Sequence, residues 1–314
     1  MIELKIIKDV EKFEKLIDEI PYDIKTVISN LDLNNKQRTL YHYTSIYGLE
    51  GILKNSEFWV SHSAFLNDKT ELEYTYKLCE EILDEMVGED EHLHELATDI
   101  FQDGIEKSRD TELYILSMTT NGDSNLLWSN YSHNDGYSLA LKYPEIMQTF
   151  AKERGVTEVV PVPADVIYDR EKQKQLLEAP IRALLQFMHF HVSEETWTEG
   201  IEERFRELFT GINMYSAFFK DECFKQEEEV RIVFMSRNGI GKLKQDGFRI
   251  SNGAFIPYLK ASFLSKKEVI QSITIGPKNH MDIAKEGLIK LLEHYGYDHI
   301  SDGYVEKSKI PYRY

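Results

Sequence analysis

The sequence lacks the features that define several large classes of protein. It has only two cysteines, Cys79 and Cys223, and neither has a second cysteine or a group of metal ligands close to it in sequence. A disulfide framework and a structural zinc centre are therefore not expected. No stretch approaches the run of about eighteen apolar residues that marks a membrane-spanning helix, and residues 1–5 do not resemble the start of a signal peptide. We therefore expect a cytoplasmic protein that does not enter a membrane.

The sequence also has fewer basic residues than acidic residues. The 37 lysines and arginines face 54 aspartates and glutamates, which gives a formal net charge of −17. Much of the acidic excess lies between residues 80 and 112, and such a surface repels a phosphate backbone. A nucleic-acid substrate would need a local basic patch. The candidates are two groups that are also typical of solvated surface, namely Arg170, Lys172 and Lys174, and Lys242, Lys244 and Arg249.

The hydrophobic pattern predicts a mixture of strands and helices. Residues 1–39 are predicted to form a helical segment, and residues 40–314 to form a single domain with helical insertions near 68–108 and 171–212. No internal repeat and no linker rich in Pro, Gly or Ser divides this domain. Because the strands occur in clusters without regular alternation with helices, the pattern favours an α+β fold over a doubly wound sheet.

The best candidate for a functional site is the acidic segment 226–231. If it belongs to the strand predicted over 230–234, then Glu227, Glu229 and Arg231 lie on one face, since alternate residues of a strand point to the same side. Two close carboxylates raise the pKa of at least one of them unless Arg231 compensates, which suits acid–base chemistry or the binding of a sugar hydroxyl. The alternative is an ordinary ion pair on a solvated sheet edge.

A second candidate is the aromatic segment 41–45, which is predicted to be a strand that leads into a helix capped by Ser45. His42 and Thr44 share a face of this strand. A histidine in this position can donate a hydrogen bond to a ribose hydroxyl or to an amide, and Tyr43 offers a flat ring. The alternative is a half-buried histidine in an aromatic core.

Two weaker clusters complete the candidates. Asn67 and Asp68 lie at a predicted helix start, where capping alone would explain them. Trp128 and Tyr131 follow a turn-rich segment, where they would either stack on a base or pin a loop. The chain contains no Walker loop and no G-x-G-x-x-G, G-x-S-x-G or H-E-x-x-H motif, and no metal site is predicted.

As a set, these motifs resemble an uncharacterised bacterial family that is often encoded near toxin and phage-defence genes. The resemblance runs from about residue 40 to the end of the sequence. It rests on motifs at 41–44, 67–68, 128–136, 220–231, 275–277 and 308–312. The family has little assigned activity, so the resemblance implies a toxin or defence setting, with an antitoxin or other defence-system partner, and no particular chemistry.

More distantly, the strand, helix and strand that begin with Tyr-His-x-Thr resemble the first motif of ADP-ribosyltransferases of the His-Tyr-Glu type, including diphtheria-toxin-like and DarT-like enzymes. This resemblance implies a split antiparallel sheet core with helical insertions, NAD as the substrate, and a protein or nucleic-acid acceptor. In this scheme His42 binds the nicotinamide-side ribose, Glu229 holds the ribose 2′-hydroxyl, and Glu227 assists. The remaining residues expected around NAD are Tyr43, Thr44, Asn67, Asp68, Trp128 and Arg231.

Three questions stay open at the level of the sequence. Four aromatic residues compete to stack on nicotinamide, namely Trp59, Tyr74, Tyr76 and Tyr114. A metal-dependent nuclease would use Glu227 and Glu229 to hold Mg²⁺, although the segment has an arginine where a Glu-x-Lys motif would have lysine. A non-catalytic sensor or interaction module would use Glu227 and Arg231 as a structural ion pair and the acidic region 80–112 as a partner surface.

Overall fold

A computed structural model describes residues 24–31, 38–65, 70–88, 91–108, 111–132, 136–154, 159–193, 199–236, 242–251, 253–263, 269–278 and 281–311. Most of the predicted helical segment 1–39 lies outside these ranges, as do Asn67 and Asp68. The described residues form a mixed α/β structure with one large sheet and several helices. Among the described helices, none has the length and the apolar character needed to cross a membrane.

The elements follow the chain as strands in clusters with paired helices between them. The strands are β1 Thr39–Thr44, β2 Glu57–His62, β3 Tyr114–Thr119, β4 Tyr137–Lys142, β5 Val159–Asp165, β6 Glu229–Ser236, β7 Gly247–Ser251, β8 Ala254–Ser262, β9 Ile270–Ile275 and β10 Val305–Lys307. The α-helices are α1 Ile24–Asn30, α2 Ile46–Asn55, α3 Thr70–Val87, α4 Glu91–Ser108, α5 Asn125–Ser132, α6 Tyr143–Arg154, α7 Arg170–Ser193, α8 Glu199–Ser216 and α9 Met281–His294. Short 3₁₀ helices cover Ser63–Phe65, Glu222–Glu227 and Asp302–Tyr304.

The sheet branches at β3. Its main path runs β10, β9, β4, β1, β3, β2, β8, β7, while β6 pairs with β3 and β5 pairs with β6. The pairings are antiparallel except that of β9 with β10. One edge of β3 pairs along its length with β6. The other edge is shared, since Tyr114 and Ile115 pair with β2 and Thr119 pairs with β1. The sheet therefore splits where β1 and β2 diverge from β3.

Both faces of the sheet are covered, which explains the apolar character of the central strands. One face packs against α1, α3, α4, α7 and α8, and the other packs against α2, α6 and α9. Alternation along β6 follows this division. Val233 and Met235 belong to the core beneath the first group of helices, whereas Val230, Ile232 and Phe234 belong to the second core. Glu229 and Arg231 alternate with the second set, so they point toward the first face.

Candidate functional site

A cavity of about 530 Å³ lies at the split in the sheet, where it is lined by residues of β1, β2 and β3. This volume is in the range of about 300 to 1,000 Å³ that is common for small-molecule sites. His42, Glu227 and Glu229 all line it. Two segments that are far apart in sequence, and that were each selected from local pattern, therefore meet in one cavity.

His42 lies on β1 and bridges the split. Its Nδ1 is 3.0 Å from the carbonyl oxygen of Ser117 on β3. Because a carbonyl oxygen only accepts hydrogen bonds, this contact assigns the proton to Nδ1 and leaves Nε2 as an acceptor. Burial lowers the pKa of His42 and outweighs the bond to Ser117, which raises it. The imidazole is therefore neutral near pH 7, with its edge against the ring of Phe58 at 5.4 Å.

The acidic segment is not one continuous strand. Glu227 ends the 3₁₀ helix Glu222–Glu227, and Glu228 follows in the left-handed region with φ 46° and ψ 44°. The strand β6 begins only at Glu229. The prediction that Glu227, Glu229 and Arg231 share one strand face is therefore wrong for Glu227, because the helix and the left-handed residue turn the chain before the strand starts. Glu229 and Arg231 do share a face of β6.

Lys220 joins the two carboxylates. Its Nζ lies 2.6 Å from Oε2 of Glu227 and 3.0 Å from Oε2 of Glu229. Arg231 donates to Glu229 from Nε at 2.8 Å and from NH2 at 3.1 Å, and its NH1 donates to the carbonyl of Ala217 at 2.8 Å. All four charged residues are buried. They lie inside the sheet, where β6 is flanked by β3 and β5, so the interpretation as a solvated edge ion pair is wrong.

The positive charges of Arg231 and Lys220 determine the protonation state of Glu229. Burial by itself would raise its pKa, but the Arg231 guanidinium and the Lys220 ammonium outweigh burial and hold the pKa of Glu229 at about 2. The compensation by Arg231 that the sequence left open is present. Glu229 is therefore an ionised carboxylate at neutral pH, which suits charge stabilisation and excludes it as a proton donor.

Glu227 has more room to accept a hydrogen bond from a ligand. Each of its carboxylate oxygens receives one bond, from Lys220 Nζ at 2.6 Å and from the hydroxyl of Tyr131 at 2.9 Å. The carboxylate of Glu229 receives three contacts from Lys220 and Arg231. Since a carboxylate has about four acceptor positions, the geometry favours Glu227 for direct contact with a ligand hydroxyl.

The backbone around the carboxylates is fixed by hydroxyl groups. The hydroxyl of Thr119 donates to the carbonyl of Glu227 at 2.8 Å, and the hydroxyl of Tyr168 accepts from the amide of Glu229 at 3.0 Å. Tyr131, on α5, also lines the cavity, and burial raises the pKa of its phenol. The phenol therefore remains a hydrogen-bond donor to Glu227 throughout the neutral range.

Two further residues that were predicted to contact NAD, Trp128 and Arg231, lie outside the lining of the cavity. Trp128 is fully buried, donates from Nε1 to Asp123 at 2.7 Å, and packs edge-on against Tyr43 at 4.7 Å. Trp128 was expected to contact NAD, but the structure buries its side chain and places it outside the lining of the cavity. Arg231 does not line the cavity either; it acts on the site by holding Glu229. Asn67 and Asp68 lie outside the described residues.

Tyr43 and Thr44, which were expected around NAD, both line the cavity. The hydroxyl of Tyr43 donates to the carbonyl of Asn121 at 3.0 Å and accepts from the amide of Ser124 at 2.9 Å. Tyr43 thus ties β1 to the loop before α5. Its side chain is mostly buried, so it contributes to the wall of the cavity more than to an exposed stacking surface.

One of the four aromatic residues proposed to stack on nicotinamide lines the cavity, and it is Trp59. Its indole is 43% exposed and lies parallel to the ring of Tyr258, at 4.4 Å and 6°. Tyr114 is buried in the core, while Tyr74 and Tyr76 on α3 donate hydrogen bonds to side chains of α7 and α8. Of these four candidates, Trp59 is therefore the one that is placed to meet a ligand.

The first basic patch is occupied by ion pairs. Arg170 pairs with Glu81, and Lys174 Nζ lies 2.8 Å from Glu85 and 3.2 Å from Glu81. Its positive charge is thus compensated by α3, and the interpretation as solvated surface fits it better than a nucleic-acid site. Within the described ranges, no group of three or more His, Cys, Asp or Glu side chains is placed to hold a metal ion.

Residues 127–232 match the model of a family described as Protein of unknown function (DUF2971). The matched range covers about a third of the chain, from α5 into β6, and includes Lys220, Glu227, Glu229 and Arg231. No curated protein and no solved structure matches the chain. The match agrees with the resemblance to an uncharacterised family, and its description names no activity, so the function has to be argued from the site.

Proposed function

We propose that the protein is an ADP-ribosyltransferase-like enzyme that uses NAD to modify a protein or a nucleic acid, in the setting of a bacterial toxin or phage-defence system with an antitoxin or other defence partner. One observation carries the proposal. A neutral histidine and two buried carboxylates, from distant segments, line one cavity at a split in a largely antiparallel sheet.

The chemistry of NAD suits these groups. The bond between C1′ of the ribose and the nicotinamide nitrogen breaks, and its electron pair leaves with neutral nicotinamide. The ribose carbon becomes positively charged until an acceptor nucleophile bonds to it and loses a proton. An ionised carboxylate in a buried site stabilises that charge, and hydrogen bonds to the ribose hydroxyls align the sugar. Glu229 provides a carboxylate that is ionised at neutral pH.

The hydrogen bonds favour a different division of roles from the one that the resemblance implies. We assign the contact with the ribose hydroxyl to Glu227, whose oxygens each receive only one bond, and we assign fixed negative charge to Glu229. His42 would accept from a ribose hydroxyl through Nε2, since Nδ1 donates to Ser117. Trp59 would stack on a flat ring of NAD.

The two alternatives make different demands on the same carboxylates. A nuclease would need Glu227 and Glu229 to bind Mg²⁺, yet their oxygens already receive bonds from Lys220 and Arg231. A non-catalytic module would need these four charges only to stabilise the fold. The test therefore has to separate the loss of chemistry from the loss of structure.

The protein is incubated with cell extract and with NAD labelled in its adenylate half, and both nicotinamide release and labelling of macromolecules are measured. We expect Glu227→Gln and His42→Asn to lower nicotinamide release by about a hundredfold or more, as for the loss of an electrostatic contact to a transition state. Glu222→Gln is the matched control, because Glu222 is exposed on the same 3₁₀ helix.

A second variant separates chemistry from stability. Lys220→Met combined with Glu227→Gln removes one buried charge of each sign, so the cluster stays neutral. We expect this double variant to melt close to the wild type and to remain inactive. The proposal fails if the wild type neither releases nicotinamide nor transfers label, or if Glu227→Gln and His42→Asn turn over as fast as the wild type. Chelator-sensitive cleavage of plasmid or RNA would favour a nuclease, and toxicity that survives both substitutions would favour a non-catalytic module.

A further inference from the structure

A positively charged group lines the cavity on the side formed by β2 and β7. Arg249 lies on β7, and its guanidinium donates to the hydroxyl oxygen of Ser61 from Nε at 3.2 Å and from NH2 at 3.0 Å. Its side chain is partly buried, and burial lowers the pKa of Arg249. An arginine stays charged despite such a change. The cavity therefore contains a fixed positive charge whose bonds go to a neutral hydroxyl.

This arrangement differs from that of the other buried cations. Lys220 and Arg231 each bind a carboxylate of the pair Glu227 and Glu229, and Arg38 pairs with Asp165. Among the described residues, Arg249 has no carboxylate within ion-pair distance. In a chain with 54 acidic residues, a partly desolvated guanidinium without a counter-charge is unfavourable unless an anion completes its environment.

The neighbouring groups have the chemistry of a phosphate site. Ser61 accepts both bonds from Arg249, which leaves its own hydroxyl proton to be donated. Ser251, two residues after Arg249 on β7, shares its strand face and also lines the cavity. Trp59 lies two residues before Ser61 on β2 and therefore on the same face, with a partly exposed indole. Glu57 also lines the cavity on this strand face, but its carboxylate accepts from Trp59 Nε1 at 2.9 Å and pairs with Lys260 Nζ at 3.4 Å. Hydroxyl and guanidinium donors beside an aromatic surface match a phosphate attached to a flat ring.

We propose that Arg249, Ser61 and Ser251 form an anion subsite that binds the phosphate groups of a nucleotide-type ligand, with a ring of that ligand against Trp59. The anion lies on the β2 and β7 side of the cavity, and the sugar hydroxyls lie on the side of His42 and Glu227. For NAD the anion is its pyrophosphate, and in that form the inference rests on the proposed function. The phosphate subsite itself rests on Arg249 and its surroundings.

Calorimetric titration tests the subsite with three probes, namely ADP-ribose, inorganic pyrophosphate and adenosine, at one fixed ionic strength. We expect the wild type to bind the two phosphate compounds more tightly than adenosine. We expect Arg249→Met to weaken ADP-ribose binding by about tenfold or more, as for loss of a charge-assisted hydrogen bond. Arg249→Lys keeps the charge but loses the planar fork, so it should recover only part of the affinity.

The matched control is Lys244→Met, which removes the same charge from an exposed position shortly before β7 and should leave binding unchanged. Melting temperature provides a separate check on structure. Because Arg249→Met removes a partly buried charge that has no acidic partner, its melting temperature should equal or exceed that of the wild type. A large drop would show that Arg249 supports the fold and would overturn the subsite.

The outcomes separate the subsite from the proposed reaction. Binding of ADP-ribose and pyrophosphate that depends on Arg249, without any nicotinamide release from NAD, would uphold the subsite and overturn the transferase. Turnover of NAD with the same KM in Arg249→Met and in the wild type would uphold the transferase and overturn the subsite. Failure of the wild type to bind either phosphate compound, or equal binding by Arg249→Met, would also overturn the subsite.

Discussion

Nζ of Lys220 and Oε2 of Glu227 lie 2.6 Å apart, and the two side chains are each 6% exposed. The contact closes the short segment from the end of α8 to the end of the 3₁₀ helix Glu222–Glu227. It fixes Glu227 against the cavity although this residue is not part of the sheet. A buried ion pair of this kind adds little net stability when intact but is costly to break from one side.

Lys220→Met should therefore destabilise the protein by about 3 to 5 kcal/mol, because it leaves the carboxylates of Glu227 and Glu229 with only Arg231 to compensate them. The free energy of unfolding is measured by urea denaturation at pH 7. Lys225→Met is the control, since Lys225 is exposed and lies 3.7 Å from an exposed glutamate; it should change the free energy little. A Lys220→Met variant as stable as the control would show that Lys220 is dispensable to the cluster.

The low pKa of Glu229 predicts a specific acid sensitivity. Its folded pKa of about 2 lies below its ordinary value of 4.5, so its contribution to stability is complete above pH 4.5 and is lost as the pH falls toward 2. The difference between these pKa values corresponds to roughly 3 kcal/mol. Urea denaturation at pH 7, 4.5 and 3 should show the gap in stability between wild type and Glu229→Gln shrinking as the pH falls. A gap that stays constant would contradict the depressed pKa.

Local pattern predicted most of the strands because they are short, apolar and bounded by polar turns. The strands predicted in the segment 41–45 and over 230–234 correspond to β1 and β6. The helix α5 was missed, since its eight residues follow a turn-rich segment and include both Trp128 and Tyr131, which suggested a loop. The helical insertion predicted near 171–212 corresponds to the two helices α7 and α8.

The sequence predicted a site residue only where the local pattern of a single segment pointed to it. His42 and Glu229 each stood out within their own segment, but the contacts of Lys220 and Arg249 depend on how strands meet in space. Lys220 and Glu227 are separated by a 3₁₀ helix, so the two-residue spacing of a strand does not predict their contact. Arg249 belongs to a basic group that is also typical of solvated surface, and its strand neighbours Phe248 and Ile250 are exposed. Alternation along β7 turns its side chain to the cavity, and one sequence does not reveal which face of an edge strand is enclosed.

The tautomer of His42 is a direct prediction from its bond to Ser117. A long-range proton–nitrogen NMR correlation spectrum should show the proton on Nδ1, with the His42 signals assigned by their loss in His42→Asn. Because burial lowers the pKa of His42, its titration midpoint should lie below 6.5, and its effect on stability should appear as a loss when the pH falls below that value. A proton on Nε2, or a midpoint at or above 6.5, would remove the acceptor that is assigned to the ribose.

Asp123 should matter more to stability than the exposed acidic residues near the end of the chain, because it binds the segment that follows β10. Its Oδ1 accepts from Trp128 Nε1 at 2.7 Å and from the Ser308 hydroxyl at 2.6 Å, and its Oδ2 accepts from the Lys309 amide at 2.7 Å. Asp123→Ala leaves the buried indole N–H without its acceptor, which should cost about 1 to 3 kcal/mol. It should also release the segment that follows β10.

Urea denaturation tests the loss of stability, and hydrogen exchange measured by mass spectrometry tests the release of the segment. In Asp123→Ala, the amides of residues 308–310 should exchange faster, because the bond to the Lys309 amide is lost. Asp302→Ala is the control, since Asp302 is 79% exposed and pairs with Lys285 at 3.0 Å on the surface, where ion pairs contribute little. If exchange at 308–310 is equally slow in both variants, then Asp123 does not hold this segment to α5, and the support that Trp128 gives to Tyr43 and β1 must come from packing alone.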